Sequence, residues 1–177
     1  MTLVVAIATD LVLAQAGKVL VPTWRNERLE MDARIWHPIF HHGLKPLAAF
    51  GHQYGHTRAP YFTNSLGFRD VGNREVPLKS NKANVFFIGD SMTEGLGVRF
   101  EETFVGRIAT ALEPKGIEVL NGGVMSYAGS IYYRKTKYLV ENVGLSIDAV
   151  VVFIDISDME DEARCYRLGD DDVVGTA

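Results

Sequence analysis

Three short apolar runs recur through the second half of the chain, VFFI at 85–88, IEVLN at 117–121 and the core of DAVVVFIDIS at 148–157. Their spacing of about thirty residues is that of successive βαβ units. Each run is rich in β-branched or aromatic residues and is bounded by polar residues or glycine, as expected of strands buried in a parallel sheet. Two helix patterns fill the gaps. EETFVGRIATALEPKG spaces Phe104, Ile108 and Leu112 four apart, starts acidic, and stops at Pro114 and Gly116. SIYYRKTKYLVENVG puts Ile131, Lys135 and Tyr138–Leu139 on successive turns and ends at Gly144. The alternation predicts an α/β fold, a flavodoxin-like doubly wound parallel sheet in three α/β/α layers, incomplete within this chain.

That topology locates the chemistry. Ligands of such sheets bind beyond the carboxyl ends of the strands, where strand order reverses. If the first and third strands are neighbours, GDSMTEG and DISDMED face each other across a crevice, with NGGVMSY at its flank. The first loop lacks the Gly-Lys-Ser/Thr ending of a phosphate loop, and Gly95 and Gly97 do not make a dinucleotide fingerprint. Asp90 as a phosphoacceptor would need a second acidic residue after the strand and a downstream lysine, and neither stands out. A serine just past a strand end, at the start of the next helix, can attack as a nucleophile and stabilise an oxyanion with its own N–H. The plainer reading of Ser91 is a small polar residue chosen for turn geometry.

FFIGDSMTEGLGV, VLNGGVMSY and VVVFIDISDMED together resemble the three blocks of the SGNH (GDSL-type) hydrolases, over roughly residues 84 to 162. The resemblance implies a serine-nucleophile hydrolase of ester bonds, an esterase or deacetylase, with Ser91 as the catalytic residue. It implies an oxyanion hole from the Ser91 N–H, a backbone N–H at Ser126 and a side chain at Ser157. Asp90, Asn121, Gly123, Asp155 and Asp158 would support the site. The pattern departs from the family in two places. Ser126 falls where the family has glycine, which preserves a backbone donor. Asp155 and Ser157 stand where the third block has Gly and Asn, so a hydroxyl replaces an amide donor and a carboxylate approaches a developing oxyanion, unfavourable unless it turns away or pairs.

The family's base is a histidine in a C-terminal Asp-x-x-His block, and this chain has no histidine after His56. The expectation is an N-terminal portion of a longer protein, itself inactive, since a serine without a base is a weak nucleophile. His37, His41, His42, His52 and His56 sit among Pro38, Gly43 and Gly55, which disfavour the helices that would turn their spacings into metal pairs. They are expected to pack in loops. No metal and no cofactor is expected. Two other activities stay open: an acyltransferase acting on cell-surface glycans, and a non-catalytic domain that keeps the fold for binding or scaffolding.

The remaining chain divides into segments 1–21, 22–83 and 84–177. Residues 84–177 form the truncated SGNH-type domain, and 22–83 read as an irregular lead-in with a short helix near RNERLEMDARIW. Segment 1–21 is apolar but interrupted by Asp10, and reads either as a helix or as the remnant of a membrane anchor. The second reading favours an extracytoplasmic or membrane-anchored protein. A formal charge of −4 with scattered Lys and Arg excludes a nucleic-acid footprint. The expected partner is a small-molecule or glycan ester. The single Cys165 forms no internal disulfide.

Overall fold

A computed structural model describes residues 33–54 and 56–177, together with Val12. Apart from Val12, segment 1–21 lies outside the described residues, as does most of the short helix expected near residue 30. No helix among the described residues is long and apolar enough to cross a membrane.

The three apolar runs form the parallel strands β6 (Ala83–Ile88), β7 (Ile117–Asn121) and β8 (Ala149–Val152). β6 lies between the other two, pairing Phe86 with Leu120 on one side and with Val150 on the other. The helices between them are α1 (Ser91–Glu94), α2 (Phe104–Leu112) and α3 (Gly129–Tyr138), and α4 (Ile156–Arg164) follows β8. Alternation along β6 sends its side chains to two cores. Phe86 and Ile88 pack with Leu120, Ile131 and Leu139 under α3, whereas Phe87 packs with Val105 and Val119 under α2. Helices therefore cover both faces, and the core is a three-layer α/β arrangement.

The upstream segment is not irregular. It holds the hairpin β1 (Arg34–His37) and β2 (His41–Leu44), followed by β3 (Ala49–Tyr54), β4 (Thr57–Thr63) and β5 (Arg69–Asp70). The last three are antiparallel and continue the main sheet, whose order is β3-β4-β5-β7-β6-β8. β5 joins β7 antiparallel through a single register pair, Arg69 with Asn121. The sheet is thus mixed. Pro60 hides the continuity in the sequence, because proline is foreign to central strands. It is tolerated here because β5 reaches only Phe62 and Thr63, leaving Pro60 beyond its end. A second small hairpin, β9 (Tyr166–Leu168) and β10 (Val174–Thr176), follows α4.

Among the described residues β8 is an edge strand, and its burial differs from the sequence expectation. Val151 packs on the Phe87 core, but Val150 and Val152 on the opposite face are 41% and 47% exposed. With Tyr132, Tyr133, Val140 and Ile154 they line an apolar groove of about 600 Å³ between β8 and α3. An apolar face beside an open strand edge promotes self-association. Val152→Lys is therefore expected to shift this chain from concentration-dependent oligomers toward monomer in light scattering, without lowering its melting temperature.

Candidate functional site

Ser91 opens α1 directly beyond the C-terminal end of β6. Asp90 caps this one-turn helix, its Oδ1 accepting from Met92 N at 2.8 Å, while Ser91 Oγ donates to Asp90 Oδ2 at 3.1 Å. The Ser91 N–H belongs to the first turn, where the helix itself supplies no acceptor. Gly95 ends the turn in the left-handed region, at φ 76°.

The loop after β7 is pressed against this turn. Asn121 Nδ2 donates to Thr93 O at 2.9 Å, and its Oδ1 accepts from Gly123 N at 3.1 Å. A Cβ on Gly123 would stand 2.8 Å from Glu94 N, so only glycine permits this approach. Ser126, further along, is exposed and has φ 62°. A non-glycine residue there is strained, and the strain falls where the resemblance implies glycine. The Ser126 N–H has no acceptor among the described residues, and its carbonyl accepts from Tyr166 at 2.5 Å. The Gly123 N–H, held by Asn121, is not free to serve an oxyanion.

The third loop closes the crevice from the β8 side. Asp155 caps α4, accepting from Ser157 N at 2.7 Å and from the Ser157 hydroxyl at 2.5 Å. These bonds, chiefly that from the Ser157 hydroxyl, hold the Asp155 carboxyl below its ordinary range. They also engage the hydroxyl that sequence assigns to the oxyanion hole, so Ser157 acts as a partner of Asp155. Asp158 is buried and accepts from Tyr132 OH at 2.8 Å and Asp155 N at 3.0 Å. Burial raises its carboxyl above the ordinary range, and the Asp155 and Asp90 charges push the same way. Three carboxylates thus gather beside Ser91.

Sequence reasoning missed Glu94. It is fully buried, accepts from Arg34 at 2.9 and 3.2 Å and from Tyr61 OH at 2.5 Å, and receives Met125 N at 2.6 Å. One carboxylate thereby ties the Ser91 turn to the Ser126 loop and to two upstream strands. Arg69, also buried, donates to the Glu94 carbonyl at 2.7 Å and to the carbonyls of Gly95 and Val98. Lys135 is the third buried charge missed. Its Nζ donates to Gly122 O at 2.9 Å and Tyr127 OH at 3.1 Å, and burial, opposed by the Glu94 charge, lowers its pKa to about 7.

Four histidines pack against rings as expected, but on strands rather than in loops, and His56 is exposed. His37 stacks on Phe40 at 3.6 Å, His42 stands edge-on to Tyr127, and His52 lies against Tyr61. His37 and His41 are cross-strand partners in the first hairpin, so they are not a helical metal pair. None of the described histidines is hydrogen-bonded to Ser91. Comparison with family models, curated proteins and solved structures finds no match to the chain.

Proposed function

We propose that this domain is an SGNH-type hydrolase of ester bonds, with Ser91 as nucleophile on a flavodoxin-like sheet. The observation that supports it most is positional. Ser91 begins the helix that leaves the central parallel strand β6, and the loops after β7 and β8 flank it. Attack by Oγ on an ester carbonyl would place the oxyanion near the N–H groups of Ser91 and Ser126, neither of which has an acceptor among the described residues. Among the described residues Asp90 alone is bonded to the hydroxyl, and no histidine is, so the base that takes the Oγ proton comes from outside them. A small-molecule or glycan ester is the substrate class, and transfer of an acetyl group to a glycan hydroxyl would use the same acyl-enzyme. Association with a membrane through the apolar N-terminus belongs to this reading.

A binding or scaffold role is the second reading. It is favoured by Asp155, whose grip on the Ser157 hydroxyl leaves the oxyanion with fewer donors. Loss of one such donor slows acyl transfer by about 10²–10³. The experiment is hydrolysis of p-nitrophenyl acetate by the complete gene product, with fluorophosphonate labelling at Ser91. Ser91→Ala is expected to abolish labelling and lower turnover by a factor on the order of 10⁴. Unchanged turnover in Ser91→Ala removes the hydrolase reading. Absence of both turnover and labelling in the unmodified protein selects the binding role.

A further inference from the structure

Asp90, Asp155 and Asp158 each bring a carboxylate oxygen within 4.8 Å of the other two, the described residues' one grouping of this kind. The set is drawn from two loops that sequence places far apart and the sheet brings together at the end of β6 and β8. Among the described residues no lysine or arginine is bonded to any of the three. A second observation concerns Asp158 alone. Its side chain is only 3% exposed, and its Oδ1 is buried without a hydrogen-bond partner among the described residues. A buried carboxylate oxygen left without a partner is strongly destabilising, and native proteins rarely tolerate one unless a ligand or ion completes it.

We propose that Asp90, Asp155 and Asp158 form a binding site for a divalent cation of the oxygen-preferring type, calcium or magnesium. The donor chemistry selects this class. Three carboxylates without histidine or thiol suit hard cations, which complete their coordination with water. The second oxygens of Asp90 and Asp155 are held by backbone donors of α1 and α4, so both carboxylates are oriented before a cation arrives. Tyr132 does the same for Asp158. A bound cation reverses the local field. The cluster next to Ser91 changes from one that repels a carboxylate or phosphate to one that attracts it. The proposal concerns these three side chains and holds whether or not Ser91 is a nucleophile.

The competing account is that the three carboxylates relieve their repulsion by sharing a proton. Terbium separates the two, because its luminescence is sensitised by a tyrosine close to the ion, and Tyr132 touches the cluster. The expected result is saturable, tyrosine-sensitised emission at neutral pH with micromolar affinity, displaced by calcium. Asp155→Asn and Asp158→Asn are each expected to weaken binding at least tenfold. Both keep acceptors for the α4 cap or Tyr132, and circular dichroism checks that both remain folded. Tyr132→Phe should dim the emission and weaken calcium binding, followed by calorimetry, by less than either aspartate variant does. No saturable binding at millimolar calcium or terbium overturns the proposal, as does undiminished binding in folded Asp158→Asn. Both readouts are independent of ester turnover, so an inactive protein that binds calcium defeats only the hydrolase reading.

Discussion

Glu94→Ala is expected to lose about 3–5 kcal/mol of folding stability, much of what a domain of this size possesses. The magnitude follows from what the carboxylate leaves behind. Arg34, only 14% exposed at its side chain, would lose the buried carboxylate that faces it. The Tyr61 hydroxyl would be a buried donor with nothing to donate to, and the part-buried Met125 N–H would lose its acceptor. Glu94→Gln should be milder, since an amide oxygen can still accept from Tyr61 or Met125, though the negative charge facing Arg34 is lost. Urea denaturation followed by circular dichroism reads both. A loss below 1 kcal/mol in the alanine variant would mean that Glu94 does not organise the site.

Stability is expected to fall on acidification from pH 6.5 to 4 and to rise from pH 7 toward pH 9.5. The acid limb comes from His42 and His37, both lowered to about 4, chiefly by burial. Between about 4 and 6.5 the unfolded chain binds protons at these rings that the folded chain refuses, so lowering pH favours unfolding. His42 contributes on the order of 2 kcal/mol, and the more exposed His37 less. The alkaline limb comes from Lys135. Its folded pKa of about 7 lies below the unfolded value of 10.5. Between the two, the unfolded chain holds the extra proton, and stability climbs with pH by on the order of 4 kcal/mol in full. Tyr61 and Tyr127, held protonated by burial well above their ordinary range, reverse the trend beyond pH 10. Urea melts at pH 4.5, 6.5, 8 and 9.5 measure the profile. Lys135→Met should flatten the alkaline limb and shrink the acid limb slightly, since the Lys135 charge helps burial to hold His37 and His42 down. An alkaline rise that survives in Lys135→Met would assign it to another group.

The downstream half was legible because its signals are local. VFFI and IEVLN announce strands by composition alone, and IEVLN coincides with β7. Gly144 was read as a helix terminator and has φ 76° there. The upstream strands were not legible. TRAPYFT buries Ala59, Tyr61 and Thr63 in strict alternation, yet Pro60 and the flanking Gly and His residues mask the period. At the site, Ser91 and the three aspartates stand out because they fall after strand ends. Glu94 sits in the same quoted loop, but its meaning depends on Arg34, sixty positions upstream. No spacing rule reaches that far. Ser157 was assigned by its position in the block, and its true partner follows from the capping geometry of Asp155, which needs coordinates.

The single register pair between β5 and β7 divides the molecule along a seam. On one side lie the parallel strands and the Ser91 turn, and on the other lie Arg34 and Tyr61, which hold Glu94. Apart from that pair, Arg69 and the Glu94 bonds carry much of the polar connection across it. Leu44, Tyr61 and Phe68 share one core with Phe86 and Leu120, so side-chain packing rather than strand pairing joins the two sides. The Ser91 turn is then ordered by a unit to which it does not belong in the chain. Anything that grips the antiparallel arm, or loosens it, acts on Ser91 without touching it.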